Sequence, residues 1–470
     1  MNELQKLKSM KRTENGDLAY STTGNNLVDL LFMTSYFEQH LDEARIGNSD
    51  KEKLFAMFIR DPRFGLGRRA LGRCLMEQAG VKPYNIVKAG RYDDLFNIPS
   101  DENLEYLKMK AKEDNLAKKW LPRLTGKDKQ IAKALCKMWG LTEKEYRKLI
   151  KTSETTEFKL SYAEKNENNS PLNDLFKKHT YIHPLVNEID FEQVPSLAMN
   201  KYLHCFSTRE DIKDRFAEYI QKVKENKAKV NTKVANVHDA YKVATHNSDS
   251  NTQEIEEKAR DIVASKIVDN ATIGVEIDAI PILDTSGSMY DSWNWRNDIS
   301  NENDIGIKAM SVAYAIATKS TYAPNQVISF SSYPQLIDIK GNTMKEKYES
   351  MYTGDCSNTD FGKVMELLRG LKKFPKYLIV LTDMEFDVGS RSSKEETMRM
   401  FKEKGANTKI IWWNFNKSNK TSMELDEYGN FYLSGYNLQI LNLLENNMDM
   451  SQYIDKILSN YAKQIGYEYT

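Results

Sequence analysis

The chain has 470 residues, 40% apolar and 29% charged, too long for one ordinary hydrophobic core and too rich in apolar residues for a disordered chain. No stretch approaches the roughly eighteen consecutive apolar residues of a membrane-crossing helix. The opening Met1-Asn2-Glu3-Leu4-Gln5-Lys6 lacks the basic-then-apolar pattern of a secretory leader, so a cytoplasmic protein with no membrane partner is expected.

Lysine plus arginine equals aspartate plus glutamate at 67 each, so net charge by itself favours no partner. Its distribution is uneven. Residues 51–150 hold 23 basic against 13 acidic side chains, a local excess that fits an anion-binding face on the first half. Cys74, Cys136, Cys205 and Cys356 are widely spaced with no Cys-x-x-Cys pair, as expected of reduced thiols and not of a zinc site or disulfide framework.

Along the first half, apolar residues three or four apart predict helices over Leu27–Leu41, Lys51–Ile59, Arg69–Ala79, Asn103–Lys112, Lys129–Trp139 and Thr142–Ile150. Turn signals such as Asp61-Pro62 and Leu121-Pro122 separate them. Successive short helices without β-type alternation predict stacked helical pairs, a degenerate HEAT-like repeat. The polar runs 164–171 and 245–252 read as loop and linker. The domain change is set just after the second, giving a helical half over 1–265 and a different half over 266–470.

In the second half the texture becomes α/β. Strands are expected at Val275–Leu283, Val327–Phe330, Tyr377–Leu381 and Lys409–Trp413, with helices near 304–318, at Phe361–Leu371 and at Lys394–Lys404 between them. Short apolar runs alternating with helices predict a Rossmann-like, mostly parallel sheet covered on both faces. Ligands of such sheets lie at the carboxyl ends of the strands.

The run Asp284-Thr285-Ser286-Gly287-Ser288 directly follows the first of these strands. It sets one carboxylate and two hydroxyls on a tight turn, the oxygen donors that suit a hard divalent cation. Thr359 precedes a predicted helix, and Asp383 ends another strand. This Asp-x-Ser-x-Ser, later Thr, later strand-terminal Asp order resembles the metal-ion-dependent adhesion site of von Willebrand factor A domains. The resemblance implies Ser286, Ser288 and Thr359 as hydroxyl ligands, and Asp284 and Asp383 as carboxylates acting through bound water. It implies Mg2+, or another divalent cation such as Mn2+ or Ca2+, and a partner's acidic group to complete the shell. Where many such domains read Thr-Asp-Gly, this chain has Thr382-Asp383-Met384-Glu385-Phe386-Asp387; Glu385 and Asp387 are read as solvated loop charges or as acceptors behind the ligands.

Further phrases extend the resemblance: Arg60-Asp61-Pro62-Arg63-Phe64-Gly65-Leu66-Gly67-Arg68-Arg69, Lys118-Lys119-Trp120-Leu121-Pro122, Glu145-Tyr146-Arg147-Lys148 and 194–202. Together they resemble an uncharacterised family, found in eukaryotes, large viruses and phages, that joins a helical half to a von Willebrand A half. That architecture is similar to the Ro ribonucleoproteins, whose helical-repeat TROVE module forms an RNA-binding ring. The resemblance implies a TROVE-like first half and an RNA partner.

Arg60, Arg63, Arg68, Arg69 and Arg73 carry the RNA expectation residue by residue, because guanidiniums suit bidentate phosphate contact. Beside it stands a structural reading in which they pair with Asp61, Glu77, Asp93 and Asp94 to fix helix packing. The Gly-Leu-Gly among them is no nucleotide loop, since neither a preceding strand nor a Lys-Ser or Lys-Thr accompanies it. His179 and His183 have metal-like spacing without a following Glu, and are set aside as surface or packing residues. Ser286 has no Gly-x-Ser-x-Gly elbow, and none of the six histidines lies in the α/β half, so an enzyme with its own triad is not expected. At least one of Trp412 and Trp413 is expected in the core, with stacking on a base as the lesser reading, and Lys222, Lys224, Lys227 and Lys229 are expected to form a solvated helix face.

Two functions follow. The first is a non-enzymatic RNA-binding protein of ribonucleoprotein type that carries a magnesium-binding domain. The second is a protein-interaction or assembly module, of viral or phage structural kind for example, whose metal site captures a partner's carboxylate. Oligomeric state is left open.

Overall fold

The computed structural model describes residues 10–12, 18–20, 24–126, 128–150, 189–232, 235–245, 254–272, 275–289, 305–330, 333–352, 361–371, 373–383, 390–415, 431–434, 438 and 450–467. A short antiparallel pair, β1 (Met10–Arg12) and β2 (Leu18–Tyr20), comes first. Helices follow in succession: α1 (Asn26–Phe32), α2 (Thr34–Gln39), α3 (Asp50–Arg60), α4 (Arg69–Gln78), α5 (Pro83–Ala89) and α6 (Tyr92–Asn97). Next come α7 (Asp101–Glu113), α8 (Asn115–Trp120), α9 (Lys129–Trp139), α10 (Glu143–Leu149), α11 (Ser196–Thr208), α12 (Lys213–Lys224), α13 (Val237–Thr245) and α14 (Glu254–Ala271). The second half runs β3 (Ala279–Asp284), α15 (Ile305–Lys319), β4 (Gln326–Phe330), β5 (Gln335–Asp338), α16 (Met344–Ser350), α17 (Phe361–Arg369), β6 (Tyr377–Thr382), α18 (Ser390–Glu403), β7 (Lys409–Asn414), β8 (Phe431–Ser434) and α19 (Met450–Ile465).

Local chemistry sets many of these limits. Ser49 caps α3 and Thr142 caps α10, each in a reciprocal box with the glutamate three residues on. Pro83 occupies the first turn of α5, where its missing N–H costs nothing. Gly140 ends α9 in the left-handed conformation that a residue with a Cβ adopts only under strain. The helix expected over Leu27–Leu41 is two helices, broken at Met33.

By contact the chain divides into two compact units, neither continuous in sequence. One takes 37–173 and 451–470, and therefore combines α3–α10 with the C-terminal helix α19. The other takes 1–36 and 174–450, which joins α11–α14 to the whole sheet. The sequence boundary at 265/266 marks a change of texture but falls inside α14.

In the helical unit, α19 buries Tyr453, Ile454, Leu458, Tyr461, Ala462 and Ile465, and Tyr461 packs on Phe58 of α3. Tyr461 meets Phe58 edge-on at 5.5 Å, and its hydroxyl donates to Asp61 Oδ2 at 3.2 Å. Lys51 reaches Asp455 at 2.6 Å, and Lys88 Nζ donates to the Gly466 carbonyl at 2.9 Å.

Among the described residues the sheet has six strands in the order β5-β4-β3-β6-β7-β8, all parallel except the edge strand β5. Every residue of β3 and β6 is buried, as expected of central strands covered on both faces. Pro281 precedes the point where the ladder to β4 begins, at Ile282, a position that tolerates a residue without an N–H. One face packs Ile280, Ile282, Leu378, Val380, Ile410 and Trp412 against α17 and α18. Trp412 and Trp413 are both buried, Trp412 at 4.8 Å from the Phe361 ring. On α15, which packs against β3, Tyr314 meets Tyr348 of α16, and Tyr348 meets Tyr241 of α13, both at 5.0 Å. The chain leaves β3 for β4 on one side and later returns to its other side as β6, so the sheet's switch point lies between β3 and β6. Among the described residues no helix is long and apolar enough to cross a membrane, and Cys74, Cys136 and Cys205 are free thiols.

Candidate metal centre

The parallel register sets Leu283 beside Leu381, so β3 and β6 deliver Asp284 and Thr382 side by side at their carboxyl ends. Asp284 is fully buried and both its oxygens are engaged. Oδ1 accepts the Ser286 N–H at 2.9 Å, and Oδ2 accepts the Thr382 hydroxyl at 2.6 Å. The turn is tied to β4 as well, because the Thr285 N–H and hydroxyl both donate to the Phe330 carbonyl, at 3.1 and 3.3 Å. Such anchoring on three adjacent strands holds the turn to one geometry.

Ser286 and Ser288 converge. Their hydroxyl oxygens are 3.1 Å apart, with Ser286 buried and Ser288 at the surface. Asp383, 2% exposed, follows Thr382 directly. Burial first, then the negative charge of Asp383, pushes the Asp284 carboxyl far above its ordinary range, while the bonds from Ser286 and Thr382 pull the other way. A positive charge at this point would stabilise the buried carboxylate and screen it from Asp383. The donors are all oxygen, two carboxylates and two hydroxyls, the chemistry of hard divalent cations. Among the described residues no three His, Cys, Asp or Glu side chains gather as a metal cluster.

Four of the five residues expected at this centre are therefore gathered at one end of the sheet. Thr359 lies outside the described residues, as do Glu385, Asp387, His179 and His183. Thr382 was not among the expected five. A strand-final hydroxyl immediately before Asp383 was the available signal, and pairing across β3 and β6 gives it meaning.

The arginine cluster has another character. Arg60 is 2% exposed and contacts the buried Asp94 carboxylate at 2.8 Å. Arg73 contacts Asp94 at 2.5 Å and Asp93 at 3.0 Å. Arg63 straddles Asp61, with bonds of 3.2 and 3.3 Å, and donates to the Lys88 carbonyl. Arg68 pairs with Glu38 at 3.1 Å. Arg69 is exposed and makes no ion pair among the described residues. Three of the expected acidic partners, Asp61, Asp93 and Asp94, are thus in place; Glu77 pairs with none of these arginines. One member is new: Arg91 reaches Asp93 at 3.3 Å and lies 4.3 Å from the centroid of Trp120. Lys222, Lys224, Lys227 and Lys229 are exposed, two of them in pairs with Glu218 and Glu225.

Two family models match successive stretches of the chain. Residues 94–270 match one domain of unknown function (DUF2828), and residues 278–464 match another (DUF7788). The chain is 25% identical over 503 residues to uncharacterized protein L728 of Acanthamoeba polyphaga mimivirus, covering 92% of this chain and 84% of that protein. The crystal structure of the Deinococcus radiodurans RO (RSR) protein aligns with 95% of this chain and 94% of its own at 10% identity. Its TM-score of 0.37 carries no argument about fold or function.

Proposed function

We propose that this is a non-enzymatic binding protein whose sheet-end site holds a divalent cation, Mg2+ foremost, and through it captures an acidic group of a protein partner. The observation that carries the reading is the buried Asp284 carboxylate, fixed by Ser286 and Thr382 beside Asp383, with the Ser286 and Ser288 hydroxyls converging 3.1 Å apart. In this reading Ser286 and Ser288 face the cation. Asp284, whose oxygens already accept two bonds, and Asp383 supply charge through water, and Thr359 completes the hydroxyls. A small cation that retains several waters suits such a sparse set, and the exposed Ser288 marks the side from which a partner's carboxylate would approach.

Calorimetric titration of the full chain with Mg2+, repeated on Asp284→Ala, tests the cation. Capture of proteins from host extract with and without chelator tests the partner. Saturable Mg2+ binding, absent in the variant, and a partner released by chelator are expected; an identical titration of wild type and variant would refute the reading.

RNA binding by the helical half is the second reading. Exposed Arg69, together with exposed Lys129, Lys137, Lys144 and Lys148 on α9 and α10, favours it. Filter binding that weakens steeply with salt is the expected result, since phosphate contacts release counterions. No retention at low salt would sink it.

A further inference from the structure

Three guanidiniums share two carboxylates in the helical unit. Arg60 and Arg73 meet at Asp94, and Arg73 and Arg91 meet at Asp93, over contacts of 2.5 to 3.3 Å. The geometry alone leaves one positive charge in excess. Arg69, exposed and one turn before Arg73 on α4, brings a second to the same helix face. At Arg91 burial disfavours the charge most and Asp93 attracts it next, while Arg69 and then Arg60 repel it more than Asp94 attracts it.

The scaffold holds this excess in place. Arg91 lies over the Trp120 indole, which removes water from one face of its guanidinium and fixes its plane. Asp94 is immobilised by Arg60, by Arg73 and by the Arg91 backbone N–H at 2.9 Å, so it cannot swing out to neutralise Arg69. Arg68, the residue preceding α4, provides no side-chain cap, and no acidic residue lies in that helix's first turn. The positive end of α4 therefore adds to the field where Arg69 emerges. Packed like charges in a partly buried position are unfavourable by themselves, and a doubly charged tetrahedral anion is the ligand that would offset them.

We infer that Arg69 and Arg91 form a phosphate-binding subsite, backed by Arg60 and Arg73 and held by Trp120. The inference rests on the RNA reading only for the source of the phosphate. The ligand chemistry, a phosphate group, is common to a nucleic-acid backbone and to a free phosphate.

The test uses the full chain at low ionic strength, titrated with pyrophosphate and, separately, with a labelled single-stranded oligouridylate. Compared are wild type, Arg69→Gln, Arg91→Lys and, as an exposed control in the other unit, Lys222→Gln. Arg69 is exposed, so its loss leaves the fold intact, and Arg91→Lys keeps the charge while removing the planar fork. Saturable pyrophosphate binding, weakened roughly tenfold or more in Arg69→Gln and Arg91→Lys but not in Lys222→Gln, is expected. If the oligouridylate shows the same pattern, the subsite stands and the phosphate is that of nucleic acid. If only pyrophosphate binds, the subsite stands and the RNA reading falls. Oligouridylate binding untouched by either substitution, with no saturable pyrophosphate binding, would overturn the subsite and leave the RNA reading in place. Equal pyrophosphate affinity in wild type and Arg69→Gln would also overturn it.

Discussion

Asp284 and Asp94 are both fully buried carboxylates, and the difference between them is the partner each has. Asp94 sits between two guanidiniums, so it is a structural anion; replacing it by Ala leaves Arg60 buried without its counter-charge and is expected to cost about 3–5 kcal/mol. Urea unfolding of the variant measures this, and a loss below about 1 kcal/mol would mean that Arg60 finds another partner. Gly90→Ala should act through the same pair, since a Cβ there would overlap the Asp94 carboxylate. Asp284 has hydroxyl and amide donors, which lower its pKa, but burial first and then the neighbouring Asp383 carboxylate outweigh them and raise it to about 7 in the folded state. The sign follows from that direction. Between the ordinary carboxylate range and about pH 7 the folded chain binds the additional proton, so its contribution to cation-free stability is present at low pH and is lost as pH rises. A cation reverses the trend by displacing that proton. Thermal melts in chelator should therefore favour Asp284→Asn over wild type at pH 7.5, while millimolar Mg2+ should favour wild type; about 2.7 kcal/mol accompanies a cation at about 100 times its dissociation constant. Melts unchanged by Mg2+ in both proteins would refute this. Asp-x-Ser-x-Ser and Asp383 were legible because consecutive residues and strand ends carry the pattern. Thr382 and Arg91 were not, since one acquires its role from a neighbouring strand and the other from a residue two helices distant.

Periodicity revealed the helices α3, α4, α7 and α9 and the seven-residue α10 to within a few residues, and the strands β3, β4, β6 and β7 with them. The equally short α5, α6 and α8 fall among the turn signals Pro83, Gly90, Pro99 and Pro122, which mask a helix of one or two turns. Strand β5 was missed for a related reason: it is a four-residue edge strand, mostly exposed, and lacks a buried run. The partner of α19 is beyond any local pattern, because Tyr461 meets Asp61 at a separation of 400 residues. Spacing can show that a helix has an apolar face, but not which distant surface that face covers. Two substitutions measure the α19 contact. Leu458→Ala should destabilise the helical unit by about 2–5 kcal/mol as a core truncation. Tyr461→Phe should cost about 1–3 kcal/mol, because buried Asp61 loses a donor while the ring stays. Paired unfolding curves read both, and a neutral Leu458→Ala would show that α19 contributes no core.

At the scale of the whole chain, texture and contact divide the molecule differently. Composition changes near residue 266, where helices give way to alternating strands and helices, and the two domain matches meet close by, between 270 and 278. Packing instead carries α13 and α14 into the sheet's own core. Tyr241 of α13 meets Tyr348, and Asp261 of α14 accepts the first-turn N–H of Met344 at 2.5 Å, joining α14 to α16. A fragment beginning at 266 would sever α14 and uncover the buried Tyr314 and Tyr348. Residues 174–450, by contrast, retain every helix of that unit that packs on α15 and α16. The 174–450 fragment is therefore expected to melt in one sharp calorimetric transition that Mg2+ shifts upward, whereas 266–470 should unfold broadly and bind a dye for exposed apolar surface. Equal cooperativity in the two fragments would place the sheet's folding unit entirely after residue 265. An Mg2+ shift in the longer fragment alone would show that α13 and α14 support the turn that carries Asp284.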